Sequence, residues 1–368
     1  MEKVKSKLNN MPQNVPLKTC ENIDIELDLK YELKNFINKE EQYTIPIFIP
    51  HRGCKNECVF CNQRKISGVT SDVTAKDVDQ IISNRLKEFS MGHTKKVEVA
   101  FFGGSFTGIP LANQIRYLRI ANKYVKSGEV SSIRISTRPD YISASILKVL
   151  KRYHVETIEL GVQSMVDDVL NESRRGHTKL DVIRASKLIR LFGFHLGHQI
   201  MVGLPNSNLE KELITITNVL KQKPTELRIY PVYVIKPSEL YDMYKLGKYV
   251  PLSLEDAIYR CHKIINRCQE TDVKIIRLGL QSTDEICKKN SEIVGPVSDN
   301  FAEYVMSDII KERIEKELLN KRIDKKKNIH LNILVPSRYI SVTIGPKKSN
   351  KIYFEKKYGL KYKVKGVM

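Results

Sequence analysis

Seven short apolar runs alternate with segments of helical periodicity, and this alternation constrains the fold more than any other feature. The runs are residues 44–49, 96–102, 132–136, 156–162, 196–202, 227–234 and 273–280. Residues 111–124, 142–153, 165–171, 180–191, 209–221 and 254–268 read as the intervening helices. A β-then-α order implies parallel strands joined by crossover helices. The runs end in glycines and polar residues, the pattern of a barrel mouth where loops after strands build a site. A doubly wound open sheet satisfies the same alternation. Pro231 interrupts the sixth run.

The first run leads into Cys54, Cys58 and Cys61, a C-x3-C-x2-C loop with Phe60 before the last cysteine. Three thiolates on one loop can hold three irons of a [4Fe-4S] cluster and leave the fourth open to another ligand. Two other readings fit the triplet alone: a zinc site completed by His51, or ordinary thiols. The second run ends in Gly103-Gly104-Ser105, where bare backbone groups allow close approach of a ligand. A plain turn is the alternative.

The cysteine spacing, the roughly 40-residue helix-bearing connection and the Gly-Gly after the next strand together resemble the radical S-adenosylmethionine enzymes. Further segments narrow the likeness: Ser136-Thr137-Arg138-Pro139-Asp140, Glu159-Leu160-Gly161-Val162-Gln163, Arg175-Gly176-His177-Thr178, Gly203-Leu204-Pro205 and Arg228-Ile229-Tyr230-Pro231. In that order they resemble the radical domain of the elongator catalytic subunit, a family that modifies the wobble uridine of tRNA. The likeness runs over residues 43–281, and a more distant one links the chain to oxygen-independent coproporphyrinogen oxidase. Two departures stand out. The first two cysteines are closer than in the elongator family, and Ser105 replaces an acidic residue. Residues 282–368 are too few for an acetyltransferase domain and a linker, so a short relative with the radical half alone is expected and acetyl-CoA is not carried over.

The resemblance implies an α/β architecture, a partial (β/α)6 TIM-like barrel. Residues 1–42 form a short N-terminal extension, 43–281 the core domain and 282–368 a small basic C-terminal region. It implies two cofactors, the [4Fe-4S] cluster on Cys54, Cys58 and Cys61, and S-adenosyl-L-methionine. Gly103, Gly104, Ser105, Ser136, Arg138, Glu159 and Gln163 are the expected cofactor-binding residues. Reductive cleavage of S-adenosylmethionine would give a 5′-deoxyadenosyl radical that abstracts hydrogen. A low-potential electron donor of the flavodoxin or ferredoxin type is the expected redox partner.

The residues can also be argued directly. Glu159, Gly161 and Gln163 alternate, so they share one strand face. A carboxylate and an amide facing a barrel interior are costly unless bound, to a ligand or to a satisfied protein network. Arg138 suits a carboxylate, with Asp140 or Glu159 as competing protein partners. His177 either serves the site or shapes its loop. Backbone around 202–205 suits an adenine, and Arg228 and Tyr230 lie toward the substrate by strand-end position.

Composition bounds the rest. Of 368 residues, 62 are Lys or Arg and 42 Asp or Glu, a net charge of +20. Such a charge suits RNA, tRNA foremost, or only a solvated lysine surface. Seven cysteines, three of them clustered, argue for a reducing cytoplasm rather than a disulfide framework. Cys20 and Cys287 are scattered, while Cys261 and Cys268 lie a heptad apart as packing residues. No run of about 18 apolar residues indicates a membrane span, and residues 1–14 lack the apolar core of a signal peptide. Residues 321–327 are basic, a short helix fits 31–37, and residues 352–365 interleave tyrosines with lysines. That interleaving fits a base-stacking, phosphate-binding surface or a small strand pair with a lysine face. Three functions follow: a radical enzyme acting on RNA, the same chemistry on a small metabolite, or a cluster-bearing RNA-binding protein without turnover.

Overall fold

The structure, a computed structural model, describes residues 21–36, 42–49, 53–54, 58–62, 73–89, 96–280, 293–321 and 329–367. His51, Cys20, Cys287 and residues 1–14, 37 and 322–327 lie outside the described residues. The chain divides into two units, Lys30–Met306, and Met1–Leu29 with Ser307–Met368.

The first strand, β1 (Glu21–Glu26), belongs to the smaller unit. The larger unit opens with the short helix Lys30–Leu33. Its strands are β2 (Gln42–Ile49), β3 (Lys96–Gly103), β4 (Ser132–Thr137), β5 (Val155–Gln163), β6 (His195–Val202), β7 (Glu226–Pro231), the two-residue β8 (Val234–Ile235) and β9 (Lys274–Leu278). All but β8 form one parallel sheet in the order β2-β3-β4-β5-β6-β7-β9, curled as a half-barrel. Helices Ala75–Phe89, Leu111–Lys126, Ala144–Arg152, Lys179–Leu191, Leu209–Lys221 and Leu254–Cys268 make the six crossovers. Six βα units and a final strand therefore make up the expected (β/α)6 partial barrel. One face of the sheet is an apolar layer: Ile45, Ile47, Val99, Phe101, Ile133, Ile135, Ile158 and Leu160, at alternate strand positions in mutual register, are fully buried. Side-chain caps fix where helices start. Thr178 and Asp181 form a capping box, and Ser143, Asn208 and Ser253 accept from the first turn.

Pro231 ends β7, because it has no N–H for the ladder. The chain then leaves the sheet, and β8 pairs antiparallel with β10 (Ile293–Val294). Cys261 and Cys268 are buried in their helix as packing residues, and burial pushes both thiols up.

In the smaller unit, β11 (Ile329–Pro336) lies between β1 and β12 (Lys361–Val367), all parallel. The helix Phe301–Asn320 enters this unit at Ser307. Residues 352–365 are not a strand pair: they form the end of the helix Ser349–Tyr358 and most of β12. Nor are their tyrosines a free stacking platform. Tyr362 is buried with its ring 5.3 Å from Phe354 and 8° from parallel, and Tyr353 donates to Glu315 at 2.6 Å. The Tyr362 ring serves the core of this unit.

Candidate functional site

The mouth of the half-barrel holds a cavity of about 520 Å³. Its lining includes Cys54, Cys61, Gly103, Gly104, Ser105, Ser136, Arg138, Glu159 and Gln163. Every expected cofactor-binding residue thus meets in one place, supplied by the C-terminal ends of β3, β4 and β5. Cys58 is not on the lining. Its Sγ accepts a hydrogen bond at 3.1 Å from Nη1 of Arg175, which is on the lining.

The cysteine loop is anchored from three sides. Val59 is buried against Val169, Leu204, Val232, Val234, Leu240 and Tyr249. Its N–H donates to Ser173 O at 3.3 Å, and its carbonyl accepts from Leu240 N at 2.8 Å. On the far side, Gly53 and Gly108 pack backbone to backbone. A Cβ on Gly53 would stand 2.2 Å from Ser105 O, and one on Gly108 would stand 2.1 Å from Gly53 O. Gly53 also has φ +76°, so glycine is required twice over. Gly104 N donates to Ile49 O at 2.9 Å, which fixes the Gly-Gly turn against β2. Ser105 is buried with its hydroxyl 3.2 Å from Cys54 Sγ.

Among the described residues, no three His, Cys, Asp or Glu side chains converge as ligands of one metal ion.

Two buried polar atoms on the β4 side have no hydrogen-bond partner, Ser136 Oγ and Arg138 Nη1. The remaining nitrogens of Arg138 bind Asp140, Nε to Oδ1 at 3.0 Å and Nη2 to Oδ2 at 3.1 Å. Burial works against this guanidinium, but the Asp140 hydrogen bonds and charge hold its pKa above the ordinary value, with Cys58 adding to them. An unused donor beside an unused hydroxyl matches a carboxylate ligand.

Glu159 is both on the lining and tied into the protein. It accepts from Arg228 Nε at 2.7 Å and lies 3.5 Å from Arg134 Nη1. Arg134 also pairs with Glu98 at 2.8 Å and with Glu226. Burial opposes the charge on Arg134 and Arg228, yet their carboxylates win and raise both. Burial raises Glu98 despite Arg134. Gln163 follows a bulge in the β5–β6 pairing and has φ +64°. Its Oε1 has only a long contact, 3.5 Å, from Gln199 Nε2.

Arg175, Gln199, Tyr233 and Arg277 also line the cavity and were not among the expected cofactor ligands. Arg277 had a legible signal: an arginine inside the apolar strand Lys274–Leu278 must find a partner or a ligand. His177 is off the lining. Its Nε2 donates to Val162 O at 3.2 Å, Nδ1 is buried without a partner, and burial with the Arg175 and Arg138 charges lowers its pKa to about 3. It braces the end of β5 as a neutral ring.

Residues 48–216 match the family model of the Radical SAM superfamily, and residues 224–313 match that of the Radical SAM C-terminal domain. The tRNA uridine(34) acetyltransferase of Methanocaldococcus jannaschii is 29% identical over 189 residues, 46% of this chain and 35% of that relative. Elongator complex protein 3 of Schizosaccharomyces pombe is 32% identical over 197 residues, 46% of this chain and 36% of that relative. The match spans about a third of these relatives' length. Among solved structures, archaeal Methanocaldococcus infernus Elp3 with an N-terminal deletion superposes with TM-score 0.58 at 21% identity, covering 77% of this chain and 64% of that one, a likeness of fold. The chain belongs to the radical S-adenosylmethionine superfamily.

Proposed function

We propose that this enzyme modifies RNA, tRNA foremost, in the cytoplasm, using a [4Fe-4S] cluster on Cys54, Cys58 and Cys61 and S-adenosylmethionine in the adjoining cavity. The observation that carries the reading is the convergence of the cysteine loop, Gly103-Gly104, Ser136 and Arg138 on one cavity. When bound, the cluster and S-adenosylmethionine would together supply a 5′-deoxyadenosyl radical for hydrogen abstraction.

The chain's own residues supply position and charge. Ser136 Oγ and Arg138 Nη1 are the free donors for the cofactor's carboxylate. The backbone of Gly103 and Gly104 would receive its amino group. Arg175 and Ser105 steady the thiolates of Cys58 and Cys54. Glu159 and Gln163, both on the lining, would hold the ribose or methionine portion. The Val59 cluster keeps water from the back of the loop. A low-potential flavodoxin or ferredoxin is the expected reductant.

The RNA reading is supported by the archaeal relative, a tRNA uridine(34) acetyltransferase, and by the net charge of +20. Lys361, Lys363 and Lys365 stand exposed on β12, alternating with Tyr362 and Val364. Such a row suits a phosphate backbone.

The test is anaerobic reconstitution with iron and sulfide, then dithionite and S-adenosylmethionine, with 5′-deoxyadenosine measured with and without total tRNA. Cleavage that rises with tRNA is the expected result. Cleavage indifferent to tRNA would move the substrate to a small metabolite. A fully loaded protein without cleavage would be a cluster-bearing RNA-binding protein.

A further inference from the structure

Arg228 on β7 and Arg277 on β9 are register partners in the parallel ladder, and both line the cavity. Like charges directly across a ladder repel, so each needs an anion nearby. Arg228 has one, the Glu159 carboxylate at 2.7 Å. Arg277 makes one hydrogen bond, Nε to Gly279 O at 3.3 Å, and no carboxylate among the described residues pairs with it. The other arginines of the lining are engaged. Arg85 pairs with Glu88, Arg138 with Asp140, and Arg175 binds Cys58 Sγ and Gly161 O. Glu159 is the lone carboxylate among the lining residues. S-adenosylmethionine would not correct the imbalance, because its sulfonium and ammonium outweigh its carboxylate.

Beside the Arg228 guanidinium stands a hydroxyl. Tyr230, also on the lining, has its Oη 3.4 Å from Arg228 Nη1. With Arg228 donating to its oxygen, its own proton is left for another acceptor. Burial and the neighbouring Arg228 lower the pKa of Arg277, with Tyr230 partly opposing them.

We infer that Arg277 and Tyr230 form an oxyanion subsite, which takes a phosphate or carboxylate group of the substrate on the β7–β9 side of the cavity. The inference rests on the reading of this cavity as the reaction chamber, and makes Arg277 a substrate-positioning residue. An anion there would turn the Arg228–Arg277 repulsion into a shared clamp, since guanidinium and hydroxyl donors favour an oxyanion.

The experiment is arginine labelling with phenylglyoxal on the reconstituted protein holding S-adenosylmethionine, read peptide by peptide by mass spectrometry. Inorganic phosphate and acetate are the probes, with sodium chloride at matched ionic strength as control. The expected result is saturable protection of Arg277, at least about 5-fold, while exposed Arg190 labels at an unchanged rate. Stronger protection by phosphate assigns a phosphate-bearing substrate, and stronger protection by acetate assigns a carboxylate. Tyr230→Phe should raise the half-protecting concentration at least about 3-fold. Equal slowing at Arg190, equal protection by chloride, or no protection by either probe overturns the subsite. Iron content and S-adenosylmethionine retention are measured on the same sample. Absence of protection with both intact therefore counts against the subsite alone, and loss of both counts against the chamber.

Discussion

Arg175 bridges the cysteine loop and the barrel: Nη1 donates to Cys58 Sγ at 3.1 Å and Nη2 to Gly161 O at 2.7 Å. One planar fork thus sets how far the loop stands from β5. Donors to cluster sulfurs raise the reduction potential. Arg175→Gln should therefore make a bound cluster harder to reduce. Part of a charge-assisted bond of about 1.5–3 kcal/mol is at stake, so a shift on the order of 50 mV to more negative potential is expected. Redox titration followed by electron paramagnetic resonance checks it, and an unchanged potential would remove Arg175 from the cluster's surroundings.

Gly53 is where the loop and the Gly-Gly turn touch. Gly53→Ala forces a Cβ to 2.2 Å from Ser105 O at φ +76°. Left-handed strain costs about 1–3 kcal/mol, and the clash adds to it. The loop lies at the cavity rim, outside the strand core, so it should shift while the barrel stays folded. Iron per chain after reconstitution should fall several-fold with the far-ultraviolet circular dichroism unchanged. Full iron loading in this variant would contradict the packing argument.

The parallel barrel was legible because each buried strand is a short apolar run bounded by glycine or a helix cap, a local signal. Helix limits at Leu209–Lys221 and Leu254–Cys268 follow from caps at Asn208 and Ser253. The smaller sheet was not legible. β1 finds its partner at β11, roughly 300 residues later, and no local pattern encodes that pairing. The site divides in the same way. Cys54, Gly103 and Arg138 announce themselves by motif; Arg175 stands in a quoted segment, and Arg277 as an arginine in an apolar run, but their partners, Cys58 and Gly161 for one and Arg228 for the other, are set only by the fold. Glu159 shows the ambiguity best. Its strand position pointed to a ligand or a protein network, and the side chain both lines the cavity and holds Arg228.

His177 and His198 make stability depend on acid. Burial lowers both to about 3, aided by Arg175 and Arg138 at His177 and by Arg190 at His198. In the unfolded chain they titrate near 6.5. Below that pH the unfolded state binds more protons than the folded one, so their contribution is complete above 6.5 and lost as pH falls toward 3. Each contributes a slope approaching about 1.4 kcal/mol per pH unit. Urea midpoints should fall between pH 7.5 and 5.5. His198→Gln, which keeps a partner for Ser186 at 2.9 Å from the ring, should flatten that fall by about half. Equal pH dependence in the variant would mean that His198 is protonated when folded.

The lysines of β12 separate charge from packing within one strand. Lys361, Lys363 and Lys365 are exposed, while Tyr362 between them is core. Replacing all three lysines by glutamine should leave thermal stability within about 0.5 kcal/mol, as for surface changes generally. If they bind phosphates, tRNA affinity should drop and the slope of log K against log salt should flatten by about 2–3 units, near 0.7–0.9 for each phosphate no longer neutralised. Tyr362→Ala should do the reverse, costing about 3–5 kcal/mol of stability, as truncating a buried ring does. Binding measured from 50 to 200 mM salt decides the matter. An unchanged slope in the triple variant would leave these lysines as a solvated face and move the RNA-binding surface elsewhere on the chain.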